Sequence, residues 1–544
     1  MLKFLDKERI IAAPNYNRWL VPPAALAIHL SIGMAYGFSV FWLPLGQAIG
    51  ITAPKEAPAG MGFLAQVFSS QYDWKISMLG WMYTLFFVFL GSSAAIFGSW
   101  LERNGPRKAG VVAAFSWAGG FFISALGIYL HQIILLWIGS GLIGGCGLGL
   151  GYISPVSTLI KWFPDKRGMA TGMAIMGFGG GAMIGAPLSD KLIKHFATET
   201  SVGVLETFIA LGCIYFVAMM LGAFTYKIPP HGWKPHGWVP KKKAANGMIT
   251  HGQVHVKVAH RTPQFWCLWG VLCLNVSAGI GIIGMASTML QEIFGGKLIG
   301  LQGALSSLSV DQAARAAAVG AGFAGLVSLF NIGGRFVWAS LSDHIGRKAT
   351  YFIFFLLGIA LYVAMSFAAQ TKNLSLFVGS FCVIVSMYGG GFATIPAYLA
   401  DMFGTLFVGA IHGRILTAWS TAGILGPVLV NYIREYQIGR GVPTDAAYSF
   451  TFYILAFLLA IGFVCNLLVR PVSKRWFMSD EEIREEQNRH KTDDNGDVPP
   501  EEVVESTKPS NASWVAVIIS WLLVGIPMAW GVMKTVEKAA GLFK

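Results

Sequence analysis

The sequence predicts an all-α membrane protein built as two six-helix halves, with one extra hydrophobic helix at its C-terminus. Three observations carry this. The first is composition: of 544 residues, 54% are hydrophobic and 12% charged, where a soluble chain carries roughly 25% charged residues. Mean hydropathy is +0.58, and apolar runs of about 18 residues or more recur, each long enough to cross a bilayer as a helix. The second is the placement of charge. The net +13 comes from Lys and Arg in loops on one side, a positive-inside pattern and not a nucleic-acid surface. The third is an internal repeat. Residues 100–108 resemble 340–348, residues 147–155 (Gly-Leu-Gly-Leu-Gly-Tyr-Ile-Ser-Pro) resemble 388–396 (Tyr-Gly-Gly-Gly-Phe-Ala-Thr-Ile-Pro), and 181–187 resemble 422–427. The offset is about 240 residues each time, so six helices are followed by their copy.

In chain order, residues 1–18 carry Lys3, Lys7, Arg9 and Arg18 and are expected in the cytoplasm. The first half, 1–226, places helices near 20–49, 74–98, 109–129, 133–160, 167–189 and 204–226. Residues 51–72, rich in Pro, Gly and Ala, read as an outside loop; the basic turns 100–108 and 161–168 read as inside. Residues 227–262 form a polar cytoplasmic linker, too long for a helix–helix turn, with Lys241, Lys242 and Lys243. Its His231, His236, His251, His255 and His260 match no ligand spacing, so no metal is expected. The second half, 263–470, places helices near 264–290, 316–341, 349–369, 374–400, 408–432 and 448–470.

Residues 471–511 carry dense charge with Pro499 and Pro500, and read as a flexible cytoplasmic tail. Residues 512–544 hold the extra helix. Its apolar run, 514–533, is long enough to span, which would leave Lys534, Lys538 and Lys544 outside, against the charge rule; an interfacial helix is the alternative. Cys146, Cys213, Cys267, Cys273, Cys382 and Cys465 lie in apolar segments without ligand spacing and read as free thiols. The first apolar run is too long for a signal peptide and lacks a cleavage site near its end.

One residue stands out. Arg335 lies inside an apolar run, where a charge at the bilayer centre costs roughly 2.5–3.5 kcal/mol. Ser328, Asn331, Arg335 and Trp338 share one helical face, suited to a small carboxylate. The structural alternatives are an Arg that snorkels to the membrane edge or pairs with Asp343, two turns away. Counting back about 240 residues from Arg335 reaches Ala94 or Ala95, so the cation belongs to the second half alone. Parallel halves of this kind place a substrate site between them near the midplane.

The turn 98–108, with its copy at 339–348, resembles the cytoplasmic motif of the major facilitator superfamily. Physically it is a charge latch, with Gly98, Glu102, Arg103, Arg107 and Lys108 in one copy and Asp343, Arg347 and Lys348 in the other. A narrower resemblance rests on 147–156, 161–172 (Lys-Trp-Phe-Pro-Asp-Lys-Arg-Gly-Met-Ala-Thr-Gly), 177–182, Gly334 to Trp338, and Thr417-Ala418-Trp419. Together these resemble the oxalate/formate antiporter family, related to the monocarboxylate transporters, over about residues 20–470.

The resemblance implies the major facilitator fold and transport of a small organic anion. It places Arg335 on the carboxylate, with Tyr36, Tyr152, Tyr388 and Trp419 around the substrate. Asn331 stands where some proton-coupled relatives carry an acid. His29 is the candidate proton carrier, against its reading as a packing histidine. Ala422 stands three residues after Trp419, where the family's oxalate exchanger has a second cation. The expected substrates are therefore monocarboxylates such as formate, lactate or pyruvate, by symport, antiport or uniport. The alternatives are oxalate/formate exchange and a transporter-like sensor signalling through 471–511. The segment from Trp514 looks like the single-helix small subunit of some family members, here fused. No HExxH, GxSxG or paired intramembrane carboxylates appear, so neither enzyme activity nor a cofactor is expected. The expected setting is a bacterial inner membrane, with a monomer whose N-terminus is cytoplasmic and whose partners are the anion, protons and the lipid bilayer.

Overall fold

Thirteen helices among the described residues are long and apolar enough to cross a membrane. The computed structural model describes residues 3–51, 55–58, 60–230, 233–238, 248–250, 252–488 and 510–539. The spans are α1 (Arg18–Phe38), α2 (Ile76–Asn104), α3 (Pro106–Tyr129), α4 (Ile133–Trp162), α5 (Arg167–Phe196), α6 (Val204–Thr225) and α7 (Pro263–Ile283). They continue as α8 (Val310–Ile345), α9 (Arg347–Gln370), α10 (Leu374–Phe403), α11 (Val408–Gly439), α12 (Ser449–Leu468) and α13 (Asn511–Ala539). Of the sequence expectations, His231, His251, Lys241 to Lys243, Pro499, Pro500 and Lys544 fall outside the described residues.

The ends of these helices follow local chemistry. Ser309 and Gln312 form a reciprocal capping box that starts α8 before the expected 316. Gly346 ends it, with φ 90 and ψ 151. Gly105 ends α2 with φ 85 and ψ 163. Both conformations lie where side chains with a Cβ are strained, and both glycines pass straight into the next helix. They occupy the same point of the repeat, so the duplication seen in sequence recurs in the backbone.

Three spans are irregular. α1 tightens from α-helix to a 3₁₀ segment over Gly33–Phe41. α4 opens with a widened stretch, Trp137–Gly144. α11 is divided into Val408–Ile415 and Thr417–Gly439. Such departures often mark functional sites.

Within the first six helices α3 packs on α6, α2 on α4 and α1 on α5; within the second six α8 packs on α10, α9 on α12 and α7 on α11. The seam between the sets is made by α5 against α8 and α10, and by α2 against α11. The N-terminal segment pairs with the start of the linker, Ala12 N to Ile228 O at 2.9 Å, and a later linker residue pairs with the end of α10, Val254 N to Phe403 O at 2.9 Å.

α13 lies against α1, α5 and α8. Trp521 Nε1 donates to Trp19 O at 3.3 Å, at the start of α1. Further on, Trp530 lies 5.2 Å beneath Lys191 Nζ, in the last turns of α5. The helix therefore traverses the bundle, parallel to α5. It comes so close that a Cβ at Gly531 would stand 3.2 Å from Met183 O, and one at Gly325 of α8 would stand 2.9 Å from Thr535 Cγ2.

Candidate functional site

The Arg335 side chain is fully buried. Its Nε donates to Asn331 Oδ1 at 3.1 Å, one turn earlier on α8. Its Nη1 donates to Ile175 O at 3.2 Å, across the seam on α5. Nη2 is buried with no hydrogen-bond partner among the described residues. A guanidinium has five N–H donors, and these two bonds leave three of them, two on Nη2 and one on Nη1. Donors on neighbouring guanidinium nitrogens are the fork that grips a carboxylate bidentately. Asp343 is not its partner: that carboxylate is engaged at the end of α8, as described below.

Aromatic rings close around the guanidinium. Its Cζ lies 5.7 Å from the Phe178 centroid and 5.6 Å from that of Phe392. Desolvated contacts of this kind are worth about 2 kcal/mol or more each, which offsets part of the cost of an interior charge. Tyr36 meets Phe178 edge-on at 5.0 Å, and its OH lies 3.2 Å from Tyr388 OH. Trp419 packs on Phe392 at 4.3 Å, on Phe178 at 5.4 Å and on Tyr152 at 5.4 Å. The cage thus draws on α1, α4, α5, α8, α10 and α11. Room for it is tight: a Cβ at Gly389 would stand 2.3 Å from Asn331 O and 3.0 Å from Arg335 Cγ. Tyr152 OH and Trp419 Nε1 are also buried without partners among the described residues.

The residues predicted from sequence separate in space. Arg335, Asn331, Tyr36, Tyr152, Tyr388 and Trp419 come together in the cage. Trp338 turns away; its Nε1 donates to Ser386 Oγ at 3.1 Å and its ring packs on Phe354. Ser328 Oγ bonds back to Ala324 O. His29 sits beside Tyr152, ring centroids 5.2 Å apart, with Nδ1 2.6 Å from Ala174 O and Nε2 3.1 Å from Tyr152 O. Both nitrogens face carbonyl acceptors.

The charged turns build a lock across the seam. Glu102 Oε1 accepts from Gly409 N at 2.8 Å and Ser157 Oγ at 3.0 Å, while Lys161 holds Oε2 at 2.5 Å. Asp343 accepts from Gly168 N and Met169 N, both at 2.9 Å, and from Arg347 Nη2 at 2.6 Å. Each acid therefore caps the start of a helix in the opposite six, where an anion is favoured. Asp401 joins Arg167 at 2.8 Å and Arg347 Nε at 3.0 Å. Gly98 lets α2 approach α11, since a Cβ there would stand 2.7 Å from Ala410 Cα.

The other motif charges lie elsewhere. Arg103 donates to Ser99 O, Lys108 to Asn104, Arg107 to Phe4 O, Phe224 O and Tyr226 O, and Lys348 to Leu467 O and Val469 O. Lys7 donates to Glu102 O at 2.7 Å. Burial draws its ammonium below the usual lysine range, with Lys161 adding repulsion and Glu102 opposing both.

Phe178, Phe392, Lys161, Arg167 and Asp401 were not predicted as site residues. The first four stand inside or beside motifs already noted, so a helical projection of those motifs had the signal. Asp401, alone at the end of a long apolar helix, gave only its charge as a signal.

The chain has clear relatives. It is 25% identical over 473 residues to the oxalate:formate antiporter of Oxalobacter formigenes, covering 86% of this chain and 96% of that protein. It is 24% identical over 412 residues to the uncharacterized MFS-type transporter YhjX of Escherichia coli (strain K12), covering 75% and 87%. A solved structure of the E. coli fucose:proton symporter, FucP, superposes with a TM-score of 0.57 at 14% identity, over 84% of this chain and 100% of that one. The family model of the Major Facilitator Superfamily matches residues 59–427 and 303–536. With its membrane-spanning helices and the shared fold, the chain is a multi-pass membrane transport protein and belongs to the major facilitator superfamily.

Proposed function

We propose that the protein is a secondary active transporter of small monocarboxylates, such as formate, lactate or pyruvate, working by alternating access between residues 1–226 and 263–470. The observation that carries this reading is Arg335 Nη2, a fully buried guanidinium nitrogen with no acceptor among the described residues, set in an aromatic cage at the seam. A cation in such surroundings is stabilised by an anion that fills its free edge. Arg335 and Asn331 hold the carboxylate; Tyr36, Tyr152, Tyr388 and Trp419 enclose the rest. Glu102, Asp343 and Arg347 close the face that carries the N-terminus, taken as cytoplasmic in a bacterial inner membrane. The chain acts as a monomer.

Charge count sets the preference. One guanidinium balances one carboxylate, and Ala422, fully buried on α11, supplies no second charge. A dianion would keep one carboxylate unpaired in a dry site, which is costly. Likeness to the oxalate:formate antiporter favours the alternative, oxalate exchange. Competition decides between them. In proteoliposomes, unlabelled lactate, pyruvate or formate should displace labelled lactate uptake at least about tenfold better than oxalate, a gap of about 1.4 kcal/mol. If oxalate competes best, the single-cation argument fails. Ala422→Lys should reverse the order, raising oxalate uptake and weakening lactate uptake.

Proton coupling is placed on His29, whose two ring nitrogens face carbonyl acceptors, so that a ring neutral at rest can hold a second proton while it is carried. His29→Gln should lose stimulation by an inward proton gradient while keeping lactate–lactate exchange, which moves no net charge. Gradient stimulation equal to that of the unmodified protein would exclude His29 from coupling.

A further inference from the structure

We propose that His412 forms a second, transient station for the substrate carboxylate, between the Arg335 cage and the charged lock. This rests on the carboxylate-transport reading above. His412 lies in the first piece of divided α11, Val408–Ile415. Its side chain is 1% exposed, and both Nδ1 and Nε2 are buried without a partner among the described residues. An imidazole always carries at least one N–H, and buried donors of this kind are nearly always paired. One left open in the interior calls for a functional account.

His412 is not isolated. Its ring lies 5.9 Å from that of Tyr152 on α4, and Tyr152 packs 5.4 Å from Trp419. Tyr152 OH and Trp419 Nε1 are unpartnered as well. Three open donors thus follow one another along the seam, from both sets of six helices. Trp419 touches Phe178 and Phe392, the rings on the Arg335 guanidinium. His412 stands two turns from Trp419 toward the lock, and one turn from Gly409, whose amide holds Glu102. The order along α11 is cage, Trp419, His412, lock.

Nearby charges do not account for the open imidazole. His29 packs on the same tyrosine ring but directs its nitrogens at Ala174 O and Tyr152 O. Glu102 is taken by Lys161, Ser157 and Gly409, and Asp401 by Arg167 and Arg347. The chemistry also suits transit. A carboxylate leaving Arg335 needs donors on its way out, and uncharged donors hold it weakly enough to release it. A second full cation would trap it, and conduction requires sites that can be left as well as entered.

The test separates binding from translocation. Labelled lactate binding to purified protein gives Kd, and uptake into proteoliposomes gives kcat. His412→Leu should keep Kd within about twofold while lowering kcat at least about tenfold, and His412→Gln, which retains an N–H donor, should recover most of the rate. His412→Phe keeps the ring volume and carries the same expectation if the Leu variant fails to insert. An unchanged kcat in the apolar variants overturns the proposal. So does a loss of Kd as large as the loss of kcat, which would put His412 in the main site. If the unmodified protein neither binds nor exchanges any carboxylate, the parent reading falls and the station with it; if it does both, only the variants judge the station.

Discussion

Arg335→Ala should lower carboxylate uptake at least about a hundredfold while the protein remains in the membrane. Charge-assisted hydrogen bonds are worth about 1.5–3 kcal/mol each, and the fork offers a carboxylate two of them. Losing both exceeds the roughly 2.8 kcal/mol that a hundredfold change requires. Insertion should not suffer, because the substitution removes a charge from an apolar helix. Arg335→Lys should be nearly as inactive. An ammonium has the charge but not the planar fork, and it cannot reach Asn331 Oδ1, Ile175 O and a ligand together. Uptake per membrane-inserted protein is the measurement, and near-normal uptake in Arg335→Ala would remove the anion site from this account.

The second large effect is expected at Asp343. Its carboxylate holds the Gly168 and Met169 amides in the first turn of α5 and the Arg347 guanidinium. Asp343→Ala opens that lock and leaves Arg347 with Asp401 and Ser342. Two or three charge-assisted bonds outweigh the ~1.4 kcal/mol that shifts a two-state population tenfold. Uptake should fall at least about tenfold with lactate Kd within about threefold of normal, because the site is intact and the cycle is unbalanced. Ser157 is buried behind Glu102, so the thiol of Ser157→Cys should then be alkylated faster, in a background whose native thiols are replaced. Unchanged uptake and alkylation would show that this lock does not set the conformational balance. Glu102→Gln should act in the same direction, because Glu102 makes the matching contact in the first copy of the repeat.

Much of this was legible in the sequence, and the particulars explain why the rest was not. Arg335 announced itself, since a charge in an apolar run has few structural reasons to be there. Its partner Asn331 followed from helical spacing. The same spacing placed Trp338 on that face, yet periodicity gives a direction and not a neighbour, and Ser386 of α10 holds the indole instead. Phe178 and Phe392 were hidden by composition: phenylalanine is common in membrane helices, and only the fold brings these two onto one guanidinium. The charged turns were read as one latch, but Arg103, Arg107, Lys108 and Lys348 bond close to home or to their own six helices. A motif shows which charges are present; the lengths and directions of the side chains decide which cross the seam. The early start of α8 was written plainly in Ser309 and Gln312, a capping signature that hydrophobic pattern alone passes over.

The contacts of α13 also bear on stoichiometry. A free one-helix partner would have to find its groove by diffusion within the bilayer, and its occupancy would vary with how much of it the cell made. Tethered through residues 489–509, α13 meets the same groove as an intramolecular event, at an effective concentration of roughly millimolar order. Weak glycine-mediated contacts then suffice for near-complete occupancy. Those contacts fall on α5 at Met183 and on α8 at Gly325, so a single tethered helix bridges both sets of six.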